Sequence, residues 1–353
     1  MDLALLYDVL DVPEENGPGH LLFEARKRHY TLPYLVLSVL ARDGVPMSTA
    51  ARGELDRARR RADYYRAALA RVAAEEPLQV LKGPLLARSY PEDVLRPQGD
   101  LDLVTADEET LWRVVRLLLA ERPEHVGVSV LGAPTRHVVV TLSRPAEDPL
   151  LDPHLRFEVA TAALVGDFEA VPIRTAMPDD PLTANLLALA EERFQRPFHP
   201  RDALDIHQLG RFDRPSITEL VATVAEYHLA PELTELLEFA GRLVPLGVLA
   251  PLAEALETTA AAERERRATA PAAPSPPTGA TAALDDGRPL YGMQLRRHDD
   301  HAHWPLARVH RFGADALLLT PVGDYLLVTG EIVERDRYEA ALRELDRITE
   351  EPA

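Results

Sequence analysis

The chain contains no cysteine, which excludes disulfides, zinc-thiolate centres and a thiol nucleophile, and is compatible with a reducing compartment. Lysine is almost as scarce: Lys27 and Lys82 are the only two among 39 basic residues. Arginine's planar fork is not equivalent to lysine's compact point charge, so a lysine kept in such a background marks a position to inspect. Lys27 lies in the basic run Arg26-Lys27-Arg28, whereas Lys82 stands in Leu81-Lys82-Gly83. Positive charge is short overall, with a formal net charge of −18 and a pI near 5.1. That balance speaks against holding nucleic acid by phosphate neutralisation, which requires clustered cations. Long apolar runs are also missing. The longest, around residues 32–41, is too short to span a bilayer, and the N-terminus lacks a basic segment before an apolar one. These features predict a cytoplasmic protein with no membrane association.

A length of 353 residues with 46% hydrophobic content predicts more than one core. Residues 1–75 read as a helical region, clearest from Ser48 to Glu75, where Leu55, Ala58, Ala62, Tyr65, Leu69 and Val72 recur at helical spacing. The arginines of that helix, Arg61 among them, read as a solvated face balanced by Glu54, Asp56 and Asp63, with a phosphate-facing edge as the alternative. Residues 76–180 alternate short strands with helices. Residues 181–267 return to helix, 268–289 are rich in Ala, Pro, Ser and Thr and read as a flexible linker, and 290–353 read as a small C-terminal α+β domain able to bind an acceptor or partner. The fold class expected is α+β: a small mixed β-sheet core flanked by N- and C-terminal helices, with the small domain behind its linker.

Within residues 76–180, Leu78 to Leu81 form a strand that Lys82-Gly83-Pro84 breaks into a helix. Glycine there allows close backbone approach to a phosphate, and the amides at the helix start face an anion. A second strand, 100–104, places Asp100 and Asp102 on one face, with Leu101 and Leu103 on the other. Two carboxylates so close repel unless a cation lies between them, and Mg²⁺ suits oxygen ligands shared with nucleotide phosphates. Glu158, on a later alternating strand, is the candidate third acid. Asp202, Asp205 and His207 are weaker candidates, read as surface or N-capping groups. The stretch His298-Asp299-Asp300-His301-Ala302-His303 reads as a polar loop, with a metal site as the alternative.

The order Leu81-Lys82-Gly83, Tyr90, Arg96, Gly99-Asp100-Leu101-Asp102-Leu103-Val104 and Phe157-Glu158-Val159 resembles a family of uncharacterised bacterial nucleotidyltransferases in the polymerase-β-like superfamily, over about residues 50–210. The resemblance implies a nucleotidyl group moved from an NTP to a hydroxyl, phosphate or similar acceptor with two Mg²⁺ (or Mn²⁺) ions. It implies that Asp100, Asp102 and Glu158 hold metal and are catalytic, and that Lys82, Gly83 and Arg96 serve the nucleotide. The family more often carries Asp followed two residues later by His where this chain has Glu158 and Ala160. That departure keeps open a second expectation, a catalytically silent protein of this fold that binds a nucleotide, peptide or biosynthetic partner. A more distant similarity to toxin nucleotidyltransferases acting on tRNA lacks their doubled glycine after the lysine, and the net acidity weighs against it.

Overall fold

A computed structural model describes residues 1–211, 215–270, 279–298, 306–330 and 332–350. In chain order the elements are α1 (Leu3–Val9), α2 (Gly17–Arg28), α3 (Leu32–Arg42), α4 (Thr49–Glu75), β1 (Gln79–Leu81), α5 (Gly83–Ala87), β2 (Leu101–Val104), α6 (Glu108–Leu119), β3 (His125–Leu131), β4 (His137–Arg144) and β5 (Leu155–Ala160). They continue with α7 (Pro181–Glu191), α8 (Pro200–Leu209), α9 (Ile217–Glu226), α10 (Ala230–Gly241), α11 (Ala250–Thr269), α12 (Ala280–Asp285), β6 (Leu290–Arg297), β7 (Arg308–Phe312), β8 (Asp315–Thr320), β9 (Gly323–Val328) and α13 (Arg335–Glu350). The fold is α+β, with one nine-stranded sheet in the order β1-β2-β5-β4-β3-β6-β9-β8-β7. No helix of the described residues is long and apolar enough to cross a membrane.

By contacts the chain divides into two compact units, the first comprising Met1–Ala70, Val80–Leu101 and Leu164–Pro271. This unit is helical, and its helices start where the side chains dictate. Asp2 and Asp180 accept from the amides of Leu5 and Thr183, supplying the acceptors that open helix ends lack. Proline, which needs no amide partner in a first turn, opens α7, α8, α10 and α11. The apolar run at α3 is buried except at Tyr34 and Ala41, with Leu32, Leu35, Val36 and Val39 wholly enclosed.

The second unit comprises Arg71–Gln79, Asp102–Ala163 and Ala272–Ala353. Strands β3, β4 and β5 are antiparallel neighbours, with Val128 opposite Val140 and Val140 opposite Val159. Period-two alternation buries these residues while α6 covers them with Leu111, Trp112, Val115 and Leu118. Residues 290–353 were expected to stand apart as a domain, yet β6 pairs with β3 through Ser129–Tyr291 and Val130–Leu290 and extends the same sheet. The physical reason is the free edge of β3, whose backbone groups require partners. Gly292 permits the junction: a Cβ there would lie 2.8 Å from the Val128 carbonyl oxygen. The expected linker is likewise only partly structureless. Helix α11 reaches Thr269, α12 buries Ala280 and Ala283, and the Gly287 carbonyl accepts from the Gly132 amide at 2.8 Å; residues 271–278 lie outside the described residues. Beyond β9, α13 lays Ala341 and Leu345 on Leu317, Leu326 and Val328.

Candidate functional site

Lys82 follows β1 at φ 48° and ψ −116°, a conformation that glycine adopts freely and lysine does not. Gly83, expected to allow close approach of a phosphate, makes no close protein contact where a Cβ would stand, with Gln98 Cδ at 3.8 Å and the Asp100 oxygen at 3.9 Å. The tight turn is therefore borne by the lysine. Its ammonium donates to Glu192. Burial alone would raise the Glu192 carboxyl, but Lys82 beside it brings it below the ordinary carboxylate value. The adjacent Glu191 is buried and accepts from the amides of Val165 at 2.6 Å and Gly166 at 3.0 Å. Its burial outweighs these donors and the nearby lysine, pushing the carboxyl up.

Arg96 is 4% exposed and closes a two-bonded pair with Asp205, Nε to Oδ1 at 2.7 Å and Nη2 to Oδ2 at 2.8 Å. The Tyr90 hydroxyl donates to the same Oδ1 at 2.7 Å. Burial would lift the Asp205 carboxyl, and Arg96 holds it below its ordinary value instead. Asp202, expected at the surface or as an N-cap, is instead a buried first-turn residue of α8 that accepts from the amide of the N-cap His199 at 2.9 Å, and Arg196 also grips it at 2.7 and 3.0 Å. Asp205 is a buried partner and not a surface group. His207 meets the Pro245 carbonyl oxygen at 2.8 Å.

The segment leading to Asp100 is clamped carbonyl by carbonyl. Pro97 O accepts from Arg201 at 3.3 Å and Gln98 O from Arg61 at 3.2 Å; Gly99 O accepts from Arg61 at 2.6 Å and from the Tyr65 hydroxyl at 3.0 Å. A Cβ on Gly99 would fall 2.3 Å from the Tyr30 hydroxyl, the outer end of an exposed side chain that would have to swing aside. Arg61 was read with its neighbours as part of a solvated face. Its spacing from Tyr65, one helical turn apart on α4, is the signal in the sequence that a polar pair points the same way. Asp100 emerges from this clamp half-buried.

In the second unit, Asp102 occupies the half-buried alternate position of β2 between buried Leu101 and Leu103. Glu158 has the same place in β5 between buried Phe157 and Val159. The strands are neighbours, and the Thr105 amide donates to the Ala160 carbonyl at 2.9 Å, joining their C-terminal ends. Asp102 and Glu158 each lie two residues before those ends, on the side away from the buried aliphatic positions. Glu158 accepts from Arg156 at 3.1 Å and stands opposite Thr141 of β4.

Among the described residues, no three of His, Cys, Asp and Glu gather as a metal-ligand group. Mg²⁺ held by one or two carboxylates and completed by water and substrate phosphates requires no such group, and the oxygen donors of Asp102 and Glu158 fit that mode. Of the polar stretch at 298–303, His298 contacts Asp324 Oδ2 at 3.0 Å, while Asp299, Asp300, His301 and His303 lie outside the described residues. No family model, curated protein or solved structure matches the chain.

Proposed function

We infer that the protein transfers a nucleotidyl group from an NTP to a hydroxyl, phosphate or similar acceptor. The observation that supports this most is the placement of Asp102 and Glu158 at equivalent alternate positions of neighbouring strands, joined at their C-terminal ends. Two carboxylates presented from a rigid sheet are the elementary requirement for holding Mg²⁺ or Mn²⁺ against a triphosphate. The metal, when bound, would supply positive charge to the phosphoryl oxygens, while the chain binds and orients the reactants. Glu158 is the group to accept the proton of the attacking hydroxyl. By the sequence resemblance, Asp100 adds a metal carboxylate, and Lys82 and Gly83 serve the phosphates. For that role Lys82 exchanges Glu192 for a phosphate oxygen. Arg96 is wholly engaged by Asp205, which favours the bracing of α5 over direct phosphate contact, since its Nη1 also reaches the Gly83 carbonyl at 3.4 Å.

A catalytically silent nucleotide binder is the second reading, favoured by Arg156 on Glu158 and Glu192 on Lys82: both charges are satisfied without substrate. Pyrophosphate release, measured with each NTP, Mg²⁺ or Mn²⁺ and a panel of acceptors, separates the two. Asp102→Asn is expected to abolish metal-dependent nucleotide binding. Glu158→Gln is expected to cut turnover by orders of magnitude while weakening NTP affinity far less. Full activity of the Gln variant removes Glu158 from the mechanism, and tight NTP binding without turnover in the parent supports the silent reading.

A further inference from the structure

Lys82 and Tyr30 are joined by two separate chains of contact, both within the first unit. In one, Gly83 lies beside the Asp100 carbonyl oxygen, and Gly99, the residue before Asp100, lies against the Tyr30 hydroxyl. Consecutive α-carbons are about 3.8 Å apart, so the turn at Lys82-Gly83 and the tyrosine meet neighbouring points of one short segment. In the other, Lys82 donates to Glu192, and Arg196 reaches Glu192 at 3.2 Å and Asp202 at 2.7 Å. Asp202 accepts from the His199 amide, the His199 ring packs against His29, and His29 packs against Tyr30. The three rings run outward. His199 and His29 are half-buried, while Tyr30 at the end is 53% exposed, its centroid 4.6 Å from that of His29 with the planes tilted by 34°. The turn that carries it is pinned on both sides: His29 accepts from the Thr31 amide, and the buried Thr31 hydroxyl accepts from Arg201 at 3.1 Å. An exposed tyrosine is ordinary by itself. Its place is what matters, because this ring stands where the chain runs into Asp100, with the Lys82-Gly83 turn against the same segment.

We propose that Tyr30 is the platform on which the base of the nucleotide stacks, adding one more ring to the outward run of His199, His29 and Tyr30. The inference rests on the nucleotidyl-transfer reading, in which Lys82, Gly83 and Asp100 take the phosphates and metal at the other end of the same ligand. Every base presents a π-face, so stacking favours nucleotides over bare polyphosphates and does not choose among bases. The aromatic face is the requirement, which phenylalanine and tryptophan also meet and alanine does not.

The probes are ATP and inorganic tripolyphosphate, which keeps the phosphates but has no base, each titrated with Mg²⁺ into the full chain by calorimetry. Tyr30→Ala is expected to weaken ATP by about tenfold and to leave tripolyphosphate unchanged, while Tyr30→Phe binds ATP as the parent does. Because the side chain is exposed, each variant should keep the parent's thermal melt. Tyr30→Trp supplies a direct signature: beyond any change in the parent, its fluorescence should be quenched by ATP and not by tripolyphosphate. ATP binding unchanged in Tyr30→Ala overturns the role of Tyr30 and leaves the nucleotidyl-transfer reading standing. An equal loss for both probes makes the ring a structural support and overturns it as well. No binding of either probe by the parent removes the nucleotidyl-transfer reading, and the platform with it.

Discussion

Arg96 and Asp205, 109 residues apart in sequence, form a two-bonded ion pair enclosed on every side, with Tyr90 as a third member. Leaving either charge alone in that interior should be severe: Arg96→Met or Asp205→Asn is expected to cost about 3–5 kcal/mol in urea denaturation. Tyr90→Phe removes one hydrogen bond and should cost about 1 kcal/mol. The pair also sets an acid limit. Because the folded Asp205 carboxyl lies below its unfolded value, its contribution is complete above about pH 4 and is lost as pH falls through the folded value. Unfolding midpoints of parent and Asp205→Asn should therefore converge below pH 4. Parallel curves down to pH 2 would show that the carboxylate does not stabilise the fold.

Lys82 carries both a charge contact and a backbone conformation suited to glycine, and two substitutions separate them. Lys82→Ala and Lys82→Gly lose the bond to Glu192 equally, but only glycine relaxes the turn. The Gly variant should be the more stable of the two by about 1 kcal/mol. Equal stabilities would mean that the turn adjusts at no cost.

His29 packs against His199 with ring centroids 4.4 Å apart and the planes tilted by 45°, and its Nδ1 accepts from the Thr31 amide at 3.2 Å, a bond that requires the unprotonated ring. Burial, then Arg201 and His199, push its pKa from the usual 6.5 down to about 3. Between those values the unfolded chain binds the extra proton, so stability must fall as pH is lowered across that window. Urea midpoints measured from pH 7 to 4.5 should decline more steeply in the parent than in His29→Asn, which keeps an acceptor but cannot titrate. Identical slopes would show that His29 does not contribute to the acid response.

Local elements were legible because each is written in neighbouring residues. The 3.6-residue spacing from Leu55 to Val72 corresponds to α4, and alternation around Leu101 and Leu103 corresponds to β2 with Asp102 turned from the core. The C-terminal strands and α13 also lie close to the positions their alternation and turns predict. What could not be read were partnerships between distant segments. Nothing near Arg96 announces Asp205, and nothing near Leu290 announces Val130, since complementarity across 100 or more residues leaves no period in either segment. The linker expectation failed in part for a related reason. Alanine-rich composition suggests weak packing, yet Ala280 and Ala283 are small enough to be enclosed.

The pairing of β3 with β6 imposes a schedule on the growing chain. β3 ends at Leu131 and its outer neighbour begins at Leu290, so about 160 residues must be synthesised before that flank is covered. At ordinary rates of translation this is roughly ten to thirty seconds during which a nascent strand shows unpaired amides and carbonyls to whatever is nearby. The last quarter of the polypeptide thus completes the sheet in the manner of a keystone, arriving after every other strand. A chain released early, even one retaining all six residues named for nucleotidyl transfer, would keep an adhesive border and be prone to self-association.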